Sequence, residues 1–327
     1  MTKKPITISI CCITYNHADY IKDAIDGFLM QKTSFPIEII IHDDASTDGT
    51  VEIIKDYASR YPDLIFPVLQ SENQYSKKQG GILPRFVWPR VRGRYIALCE
   101  GDDYWTDPLK LQKQVDELNK HPECYICFHP AIKHDETGIK RDEIMSDHFK
   151  STRIVGIRDV ILGGGSFMPT PSVVFYRFVI ENLPDWYLKA PVGDYYLQIL
   201  GSLNGGALYL NEKMAVHRIN LNGSWTNMLN NADFRLEFCI QHLETLDLID
   251  SYIGIFRNEF KKVKKKLLRS ILNDRFIMVK ARKEIYLNNS EYLNAMDKLL
   301  WNFMYQNSLL HNFLVNCKKV LISPFSD

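Results

Sequence analysis

The chain has 327 residues, 46% of them hydrophobic, and it carries 40 basic against 39 acidic residues. This length can bury a large core in one or two domains, and a formal net charge of +1 gives no strong field that would attract nucleic acid. The 7 cysteines include Cys11 and Cys12 inside a predicted strand, which indicates buried apolar positions and not a disulfide framework.

The sequence shows no secretion or membrane-spanning signal. Its first residues run directly into a strand without the apolar stretch of a signal peptide, and no run of about 18 apolar residues occurs. We therefore expect a cytoplasmic protein.

Strands and helices alternate over the first 120 or so residues. Short apolar, β-rich runs predict strands, and apolar residues that recur at helical spacing predict the helices between them. In chain order these are strand 6–13, helix 21–29, strand 37–41, helix 51–61, strand 64–69, strand 95–99 and a helix capped by Asp107. The alternation favours right-handed βαβ units and an α/β fold with a largely parallel sheet.

Beyond residue 130 the pattern is looser. The polar segment 134–151 predicts a loop near a binding site, while 172–176 and 207–210 predict further strands. From about Ala232 glycine and proline become scarce and a helical pattern continues almost to the end. We therefore predict a first domain over 1–225 and a C-terminal α-helical accessory region over 226–327.

Two predicted strands end in clusters of acidic residues. Glu100, Asp102 and Asp103 follow one apolar run, and Asp43 and Asp44 follow another. Neighbouring carboxylates repel one another when ionised, and a divalent cation that prefers oxygen ligands, such as Mg²⁺ or Mn²⁺, removes that repulsion. Either cluster alone is also compatible with a solvated acidic turn. Together, at the carboxyl ends of two buried strands, they predict a metal and diphosphate site at one edge of the sheet.

Three motifs in this order resemble those of family 2 glycosyltransferases, which have the GT-A fold, a Rossmann-like, mostly parallel sheet flanked by helices. The motifs are Thr14-Tyr15-Asn16, the segment 43–50 with Asp43, Asp44, Ser46, Asp48, Gly49 and Thr50, and the segment 100–105 with Glu100, Asp102, Asp103 and Trp105. The match extends over roughly the first 220 residues, and 99–111 looks like the bacterial branch that builds surface polysaccharides.

This resemblance implies roles for the motif residues. Those implied to bind the donor nucleotide are Thr14, Tyr15, Asn16, Asp43, Asp44, Ser46, Asp102 and Arg218. Asp102 and Asp103 match the acids that hold Mn²⁺ or Mg²⁺ on the diphosphate of the sugar nucleotide. Further candidates are Glu100, which stands where an aspartate is often found, Trp105, and His217. His217 precedes Arg218, whereas relatives often carry a histidine two residues after an arginine.

Asp194 is the implied catalytic base. The family's base lies at the start of a helix after a glycine, and Gly193-Asp194-Tyr195 fits that place. By itself Asp194 would more simply be a helix N-cap, and a helix N-terminus is expected to lower the pKa of a carboxylate. The resemblance implies an inverting single displacement in which Asp194 deprotonates the acceptor and no glycosyl-enzyme forms.

The implied substrates are a nucleotide sugar, expected to be a UDP-sugar, and a saccharide or lipid-linked saccharide acceptor in the synthesis of a capsule, O-antigen or similar surface polysaccharide. Two alternatives stay open: a non-catalytic nucleotide-sugar-binding or scaffold protein of the same fold, and a sugar nucleotidyltransferase. The second usually has a glycine-rich basic loop near its start, where this chain has Thr14-Tyr15-Asn16-His17. A dinucleotide dehydrogenase is disfavoured because no GxGxxG follows the first strand.

The C-terminal region contains a strongly basic helical segment. Its basic residues are Lys261, Lys262, Lys264, Lys265, Lys266 and Arg269. Such a helix can lie on an anionic membrane, and it can equally be the solvated face of a helix packed elsewhere. Peripheral contact with the inner face of the cell membrane and homodimer formation are the two roles predicted for this region.

Overall fold

The computed structural model describes residues 5–77, 81–221 and 225–306. The strands in this part of the chain are β1 (Ile8–Thr14), β2 (Ile37–Asp43), β3 (Ile65–Leu69), β4 (Tyr95–Leu98), β5 (Tyr104–Trp105), β6 (Ile126–Phe128), β7 (Ala131–Asp135), β8 (Glu143–Met145), β9 (Arg153–Val155), β10 (Val174–Tyr176), β11 (Ala207–Tyr209) and β12 (Ala215–Ile219). The helices are α1 (Ile21–Leu29), α2 (Thr50–Arg60), α3 (Lys110–Lys120), α4 (Ile157–Gly163), α5 (Phe178–Glu181), α6 (Asp194–Gly201), α7 (Trp225–Met228), α8 (Ala232–Ile253), α9 (Arg257–Leu272), α10 (Val279–Asn289) and α11 (Ala295–Gln306).

The larger sheet has the strand order β3-β2-β1-β4-β10-β6-β11-β9. Its first four strands run parallel, so their carboxyl ends meet at one edge, while β10 runs antiparallel to both of its neighbours. Isoleucines such as Ile10 and Ile39 are fully buried, since helices cover the sheet and both faces of a parallel sheet are apolar. The prediction of an α/β fold with a C-terminal helical region is confirmed.

Helix α1 shows how the sequence produces this packing. Ile21, Ala24, Ile25 and Phe28 recur at the spacing of one helical face, and all four are fully buried in the core of the larger sheet. The helix α3 begins later than predicted. The Asp107 carboxylate accepts a hydrogen bond from the Leu109 backbone N–H at 2.7 Å, so it closes a turn before the helix starts at Lys110.

The smaller sheet has the order β5-β12-β7-β8. Strand β12 runs antiparallel to β5 and parallel to β7, which places it beside the residues that follow β4. The prediction of a loop over 134–151 is wrong for its first part, because β7 extends to Asp135 and β8 pairs with it antiparallel, Ile132 opposite Ile144. Strand β7 is stabilised by parallel pairing with the distant β12, and β8 adds to the other edge of β7 as a hairpin, neither of which the local polar pattern reveals.

The chain divides into two compact units, Met1–Ser224 and Trp225–Asp327. The second unit contains α7 to α11 and has its own apolar cluster, which includes Leu268, Ile277, Ile285 and Trp301. In the part of the chain that the structure describes, no helix is both long enough and apolar enough to cross a membrane.

Candidate active site

The acidic residues after β4 form a tight turn at the carboxyl edge of the larger sheet. The backbone N–H of Asp103 donates to the Glu100 carbonyl oxygen at 3.1 Å, and that of Gly101 donates to the Ile13 carbonyl oxygen at 2.9 Å. A Cβ atom on Gly101 would lie 2.6 Å from the Thr14 hydroxyl oxygen, so only glycine fits this approach to β1. The turn therefore brings oxygen atoms of all three acids within 4.8 Å of one another.

The electrostatics of this turn reflect the crowding. Burial raises the pKa of Glu100 to about 8, and the neighbouring charges of Asp102 and Asp103 add to that rise. Burial and the charge of Asp103 likewise raise the pKa of Asp102. A carboxylate that shares a site with others is harder to ionise, and a bound cation relieves the cost. These three side chains are the only cluster of at least three potential metal-ligating acids, cysteines or histidines among the described residues.

Residues of strand β12 hydrogen-bond to both carboxylate oxygens of Asp103. The side chain of Asp103 is fully buried, its Oδ2 lies 2.9 Å from Nδ1 of His217, and its Oδ1 accepts the backbone N–H of Arg218 at 2.9 Å. Although burial lowers the pKa of His217, the adjacent Asp103 carboxylate raises it overall to about 9. Asp102 keeps 17% of its side chain exposed, so it is the more accessible acid of the pair.

The guanidinium of Arg218 is enclosed by acceptors of the protein. It donates to the carboxylates of Asp23 and Glu136, and its Nη1 donates to the Asp102 carbonyl oxygen at 2.9 Å. The rings of Tyr20 and Tyr104 lie 5.2 and 4.5 Å from its central carbon. The predicted phosphate-binding arginine thus ties α1, the acidic turn and β12 together.

The predicted nucleotide-binding residues lie at the adjacent ends of β1 and β2. Thr14 pairs with Asp43 across the two strands, and the backbone N–H of Asp44 donates to the Thr14 carbonyl oxygen at 3.0 Å. The Asp43 carboxylate accepts both the hydroxyl and the backbone N–H of Ser46, at 2.5 and 2.9 Å. Asp44 is 4% exposed and fixes the segment after β3 by accepting two of its backbone N–H groups.

The loop after β1 joins the two acidic clusters. Asn16 adopts a left-handed backbone with φ 55°, its N–H donates to the Ser46 hydroxyl, and its side-chain oxygen accepts the N–H of Thr47. The ring of Tyr15 is 45% exposed beside these contacts. His17 reaches the other cluster, with its Nε2 3.8 Å from the Asp102 carboxylate. No pattern in the sequence distinguishes His17, which lies immediately after the first motif.

Asp194 is the first residue of α6, preceded by Gly193 as the N-cap. Its Oδ1 accepts the Tyr195 backbone N–H at 2.7 Å, and its charge contributes to raising the pKa of Glu100, so the two acids share one electrostatic environment. The expectation of a lowered pKa at this helix N-terminus is wrong. Burial raises the pKa of Asp194, and its bonds to backbone N–H groups offset this only in part.

Trp105 lies in the core and not on the surface of the site. It is 2% exposed, its Nε1 donates to the Pro171 carbonyl oxygen at 2.8 Å, and its ring meets Phe28 edge-on. The ammonium of Lys110, also fully buried, sits 4.1 Å from the ring centre, and burial lowers its pKa to about 7. Trp105 is therefore a core residue next to the acidic turn in the chain. The burial of Lys110 against its ring was not predicted from the sequence.

Comparison with known proteins identifies the family. The model of glycosyl transferase family 2 matches residues 9–183, more than half of the 327 residues. The chain belongs to glycosyl transferase family 2. The family predicted from the three motifs is thereby confirmed.

Two bacterial proteins illustrate the similarity to known sequences. An uncharacterized protein of Mycobacterium tuberculosis is 43% identical over 221 residues, which cover 67% of this chain and 60% of that protein. TuaG of Bacillus subtilis, named for glycosyl transfer in teichuronic acid biosynthesis, is 36% identical over 161 residues, covering 49% of this chain and 60% of TuaG. The chain thus spans 60% of the length of both relatives.

Solved structures show the same fold as this family 2 member. S. aureus TarS 1-349 in complex with UDP-GlcNAc superposes with a TM-score of 0.53 at 14% identity, covering 85% of each chain. The mannosyltransferase PcManGT from Pyrobaculum calidifontis, in complex with GDP-Man and Mn²⁺, gives a TM-score of 0.50 at 14% identity over 95% of this chain and 89% of its own. At such low identity the likeness shows the fold alone, which is the GT-A fold predicted from the motifs.

The acidic turn of this family 2 chain fits a divalent metal ion by its chemistry. Its donors are carboxylate oxygens, which Mg²⁺ and Mn²⁺ prefer. Burial, and then the charges of the neighbouring acids, raise the pKa values of Glu100 and Asp102, and a bound cation would offset that cost of ionisation. Asp102 and Glu100 retain partly exposed side chains, while Asp103 is held by β12. The predicted residues that follow β1, β2 and β4 thus lie at one edge of the larger sheet, where His217 and Arg218 of β12 contact Asp103, and Trp105 is buried in the core.

Proposed function

We propose that this chain is an inverting glycosyltransferase that moves a sugar from a nucleotide sugar, a UDP-sugar in our proposal, to a hydroxyl of a saccharide or lipid-linked saccharide. One observation carries the proposal: oxygen atoms of Glu100, Asp102 and Asp103 gather within 4.8 Å at the end of β4, within electrostatic reach of Asp194. This arrangement offers both a metal–diphosphate site and a base, the two elements that the transfer needs.

The ends of β1 and β2 are proposed to bind the nucleotide. The Asp43 carboxylate already accepts two hydrogen bonds from Ser46, which fix its orientation, and a carboxylate has lone pairs left to accept an N–H of a base. The half-exposed ring of Tyr15 offers a face on which a base can stack. Asp44, Thr14 and Asn16 support these two residues through the contacts between β1 and β2.

Asp102 and Asp103 are the proposed metal ligands, with Glu100 as the third candidate. A divalent ion bound there would neutralise the charge that develops on the departing diphosphate. Asp103 has a second task, because its hydrogen bonds to His217 and to the Arg218 N–H fix its orientation. Partners of this kind orient the ligands of a metal and raise its affinity.

Asp194 is the proposed base. It accepts the proton of the acceptor hydroxyl while that oxygen forms a bond to the anomeric carbon, and the bond from this carbon to the diphosphate oxygen breaks on the opposite side. The diphosphate leaves with the bonding electron pair, and the configuration at the anomeric carbon inverts. Burial raises the pKa of Asp194, which makes it a stronger base than an ordinary aspartate.

The acceptor class rests on relatives and not on the site itself. TuaG, a relative at 36% identity, is named for teichuronic acid biosynthesis, which supports a role in surface polysaccharide synthesis for this chain. The donor has two precedents among proteins of the same fold, UDP-GlcNAc in TarS and GDP-Man in PcManGT. We propose UDP because a carboxylate at the end of β2 can accept the N–H of a uracil ring and the ring of Tyr15 can stack on that base.

Thermal unfolding tests the donor and the metal together. UDP and GDP are each added to the protein with Mn²⁺ or with EDTA, and a ligand that binds only the folded state raises the melting temperature. We expect the largest rise for UDP with Mn²⁺. Asp102→Asn is the matched variant, because it removes one charge from the turn while leaving the buried hydrogen bonds of Asp103 in place.

The outcomes separate the parts of the proposal. If UDP raises the melting temperature equally with Mn²⁺ and with EDTA, the proposed metal site is rejected. If GDP raises it more than UDP does, a GDP-sugar replaces the UDP-sugar as the proposed donor. Binding of UDP-sugars without release of UDP in the presence of a broad panel of saccharide acceptors would favour the non-catalytic alternative.

A further inference from the structure

The basic helix α9 is occupied by internal ion pairs. Lys264 is 2% exposed, and its ammonium contacts Asp247 and, at 3.4 Å, Asp250. Lys265 and Arg269 both pair with Asp297, at 3.3 and 2.6 Å. Three of the six cations in this segment therefore stabilise the packing of the helices around α9, which weakens the case for this helix as the membrane-binding face.

The corner between α9 and α10, residues 275–283, has a different character. Phe276 is 66% exposed, Met278 is 72% exposed and Val279 is 45% exposed, whereas Ile277 between them is 3% exposed and belongs to the apolar cluster of this unit. Ile277 thus anchors the corner from inside while the two bulky side chains on either side of it face solvent. Three exposed apolar side chains this close along the chain form a candidate contact surface.

The corner has a defined conformation. The Asp274 carboxylate accepts the Phe276 backbone N–H at 2.9 Å and pairs with Arg235 at 2.7 Å. Arg282, which is 4% exposed, donates to the Leu272 carbonyl oxygen at 3.0 Å and so links the end of α9 to the start of α10. The exposed side chains of Phe276 and Met278 are therefore presented by a fixed backbone.

Cations flank the apolar side chains along the chain. Arg275, Lys280 and Lys283 are exposed; the segment 275–283 contains no acidic residue, and the exposed Glu284 follows it. Asp274, just before it, is already paired with Arg235. The guanidinium carbon of Arg275 lies 4.8 Å from the centre of the Phe276 ring, so charge and apolar surface share the same tip.

We propose that the α9–α10 corner docks on an anionic lipid bilayer, with Phe276 and Met278 among the headgroups and Arg275, Lys280 and Lys283 facing the lipid phosphates. The inference goes beyond the proposed function and does not depend on it. Bulky apolar groups flanked by cations along the chain are the pattern of interfacial anchors. The exposed apolar area of Phe276, Met278 and Val279 is on the order of 300 Å². A stable protein–protein interface buries roughly 800 Å² per partner, so this surface is too small for one by itself.

Vesicle sedimentation of the full chain tests the docking. The probes are vesicles of phosphatidylcholine alone and of phosphatidylcholine mixed with phosphatidylglycerol, each at low and high salt. We expect binding to the anionic vesicles only, and weaker binding at high salt because the attraction is screened. Phe276→Ser with Met278→Ser should lower the partition coefficient at least tenfold, and Lys280→Gln should lower it about fivefold.

Two control variants make the result specific. Ile255→Ser removes an equally prominent apolar side chain, 75% exposed, from the turn between α8 and α9. Lys262→Gln removes one exposed charge from α9. Both should bind anionic vesicles within about twofold of the wild type, and circular dichroism should show unchanged helix content for every variant.

Several outcomes would overturn the proposal. A wild-type chain that ignores anionic vesicles at low salt excludes the bilayer as partner. If Lys262→Gln weakens binding as much as Lys280→Gln while the Phe276/Met278 variant binds normally, the contact belongs to α9. A change from dimer to monomer in the Phe276/Met278 variant, with vesicle binding unchanged, would assign the corner to a second copy of the chain.

Discussion

His217 Nδ1 lies 2.9 Å from Oδ2 of Asp103, a contact between residues 114 positions apart that joins β12 to the acidic turn after β4. Since Asp103 is fully buried, removing the ring leaves a carboxylate oxygen without this partner. We expect His217→Ala to lower the free energy of unfolding by about 1–3 kcal/mol, as for other buried groups that lose a partner. Urea denaturation in EDTA measures this change.

The same contact should govern the affinity for metal. An outer partner that orients a ligand contributes about 10–100-fold to metal binding, so His217→Ala should weaken Mn²⁺ binding by that factor in calorimetric titration. His217→Asn is the matched control, because an amide can donate a hydrogen bond from nearly the same position, and it should recover most of the affinity. Full Mn²⁺ affinity in His217→Ala would show that Asp103 needs no such support.

Asp194→Asn tests the base. The amide keeps the size of the side chain and can still accept the Tyr195 N–H, so folding and UDP binding should survive. Turnover should fall by about 10²–10⁴-fold, the usual contribution of a general base. The exposed Asp185, in the short helical turn before α6, supplies the control, and Asp185→Asn should leave turnover unchanged.

The pH profile gives the Asp194 prediction a second readout. Because burial raises the pKa of Asp194, the wild-type rate should rise with pH through a value above 3.8 as this carboxyl ionises. The limb should vanish in Asp194→Asn. If turnover of that variant stays near the wild-type value, another group is the base; if UDP binding disappears as well, Asp194 belongs to the donor site or to the fold.

The raised pKa of Glu100 predicts that the stability of the folded chain depends on pH. Burial and the adjacent Asp102 and Asp103 raise its pKa from 4.5 to about 8, so between these values the folded chain binds more protons than the unfolded chain. Stability in EDTA should therefore fall as the pH rises from about 5 to 8. Glu100→Gln should flatten that decline and be more stable than the wild type at pH 8, by roughly 1–3 kcal/mol.

Melting curves across this pH range, with and without Mn²⁺, provide the measurement. Adding Mn²⁺ should restore stability to the wild type at pH 8 and have a smaller effect on Glu100→Gln. Parallel pH profiles for the two proteins in EDTA would mean that Glu100 is not the group whose ionisation destabilises the turn.

Gly101→Ala probes the contact between the acidic turn and β1. The added Cβ would lie 2.6 Å from the Thr14 hydroxyl oxygen and 3.0 Å from the Ile21 side chain, so the turn or the strand has to shift. Such overpacking typically costs about 1–3 kcal/mol, and it should also weaken UDP binding because Thr14 ends β1 at the donor site. At Gly156 the same Cβ would meet only one atom, at 4.0 Å. Gly156→Ala should therefore change the melting temperature little and leave UDP binding intact.

The sequence predicted the parts of the site that depend on strand ends. Apolar runs that stop at acidic residues place Asp43 and Asp102 at one edge, because parallel strands share a direction. Trp105 belongs to the third motif as well, yet the structure buries it. A motif fixes the order of residues along the chain, but the side of the turn that each one faces depends on the packing below it.

Contacts between residues that are far apart in the sequence could not be predicted from local sequence patterns. His217 and Arg218 find their partners through β12, which pairs with β5 and β7, and no short-range signal links those segments. The same pairing gives β7 a distant partner, and part of the polar segment predicted as a loop forms β8 against the other edge of β7. The sequence around Lys264 likewise does not distinguish it from the exposed lysines beside it, because its burial depends on Asp247 and Asp250 in α8.

Arg218 has a consequence for how the protein is made. Its guanidinium connects Asp23, the Asp102 carbonyl and Glu136, and these partners precede it by 195, 116 and 82 residues. Strands β1 to β4 can pair as soon as they leave the ribosome, but the acidic turn stays without its clamp until β12 has emerged. A nascent chain halted before residue 215 would therefore display the acids after β4 in an unfixed arrangement, and competence to bind metal tightly would arise late in synthesis.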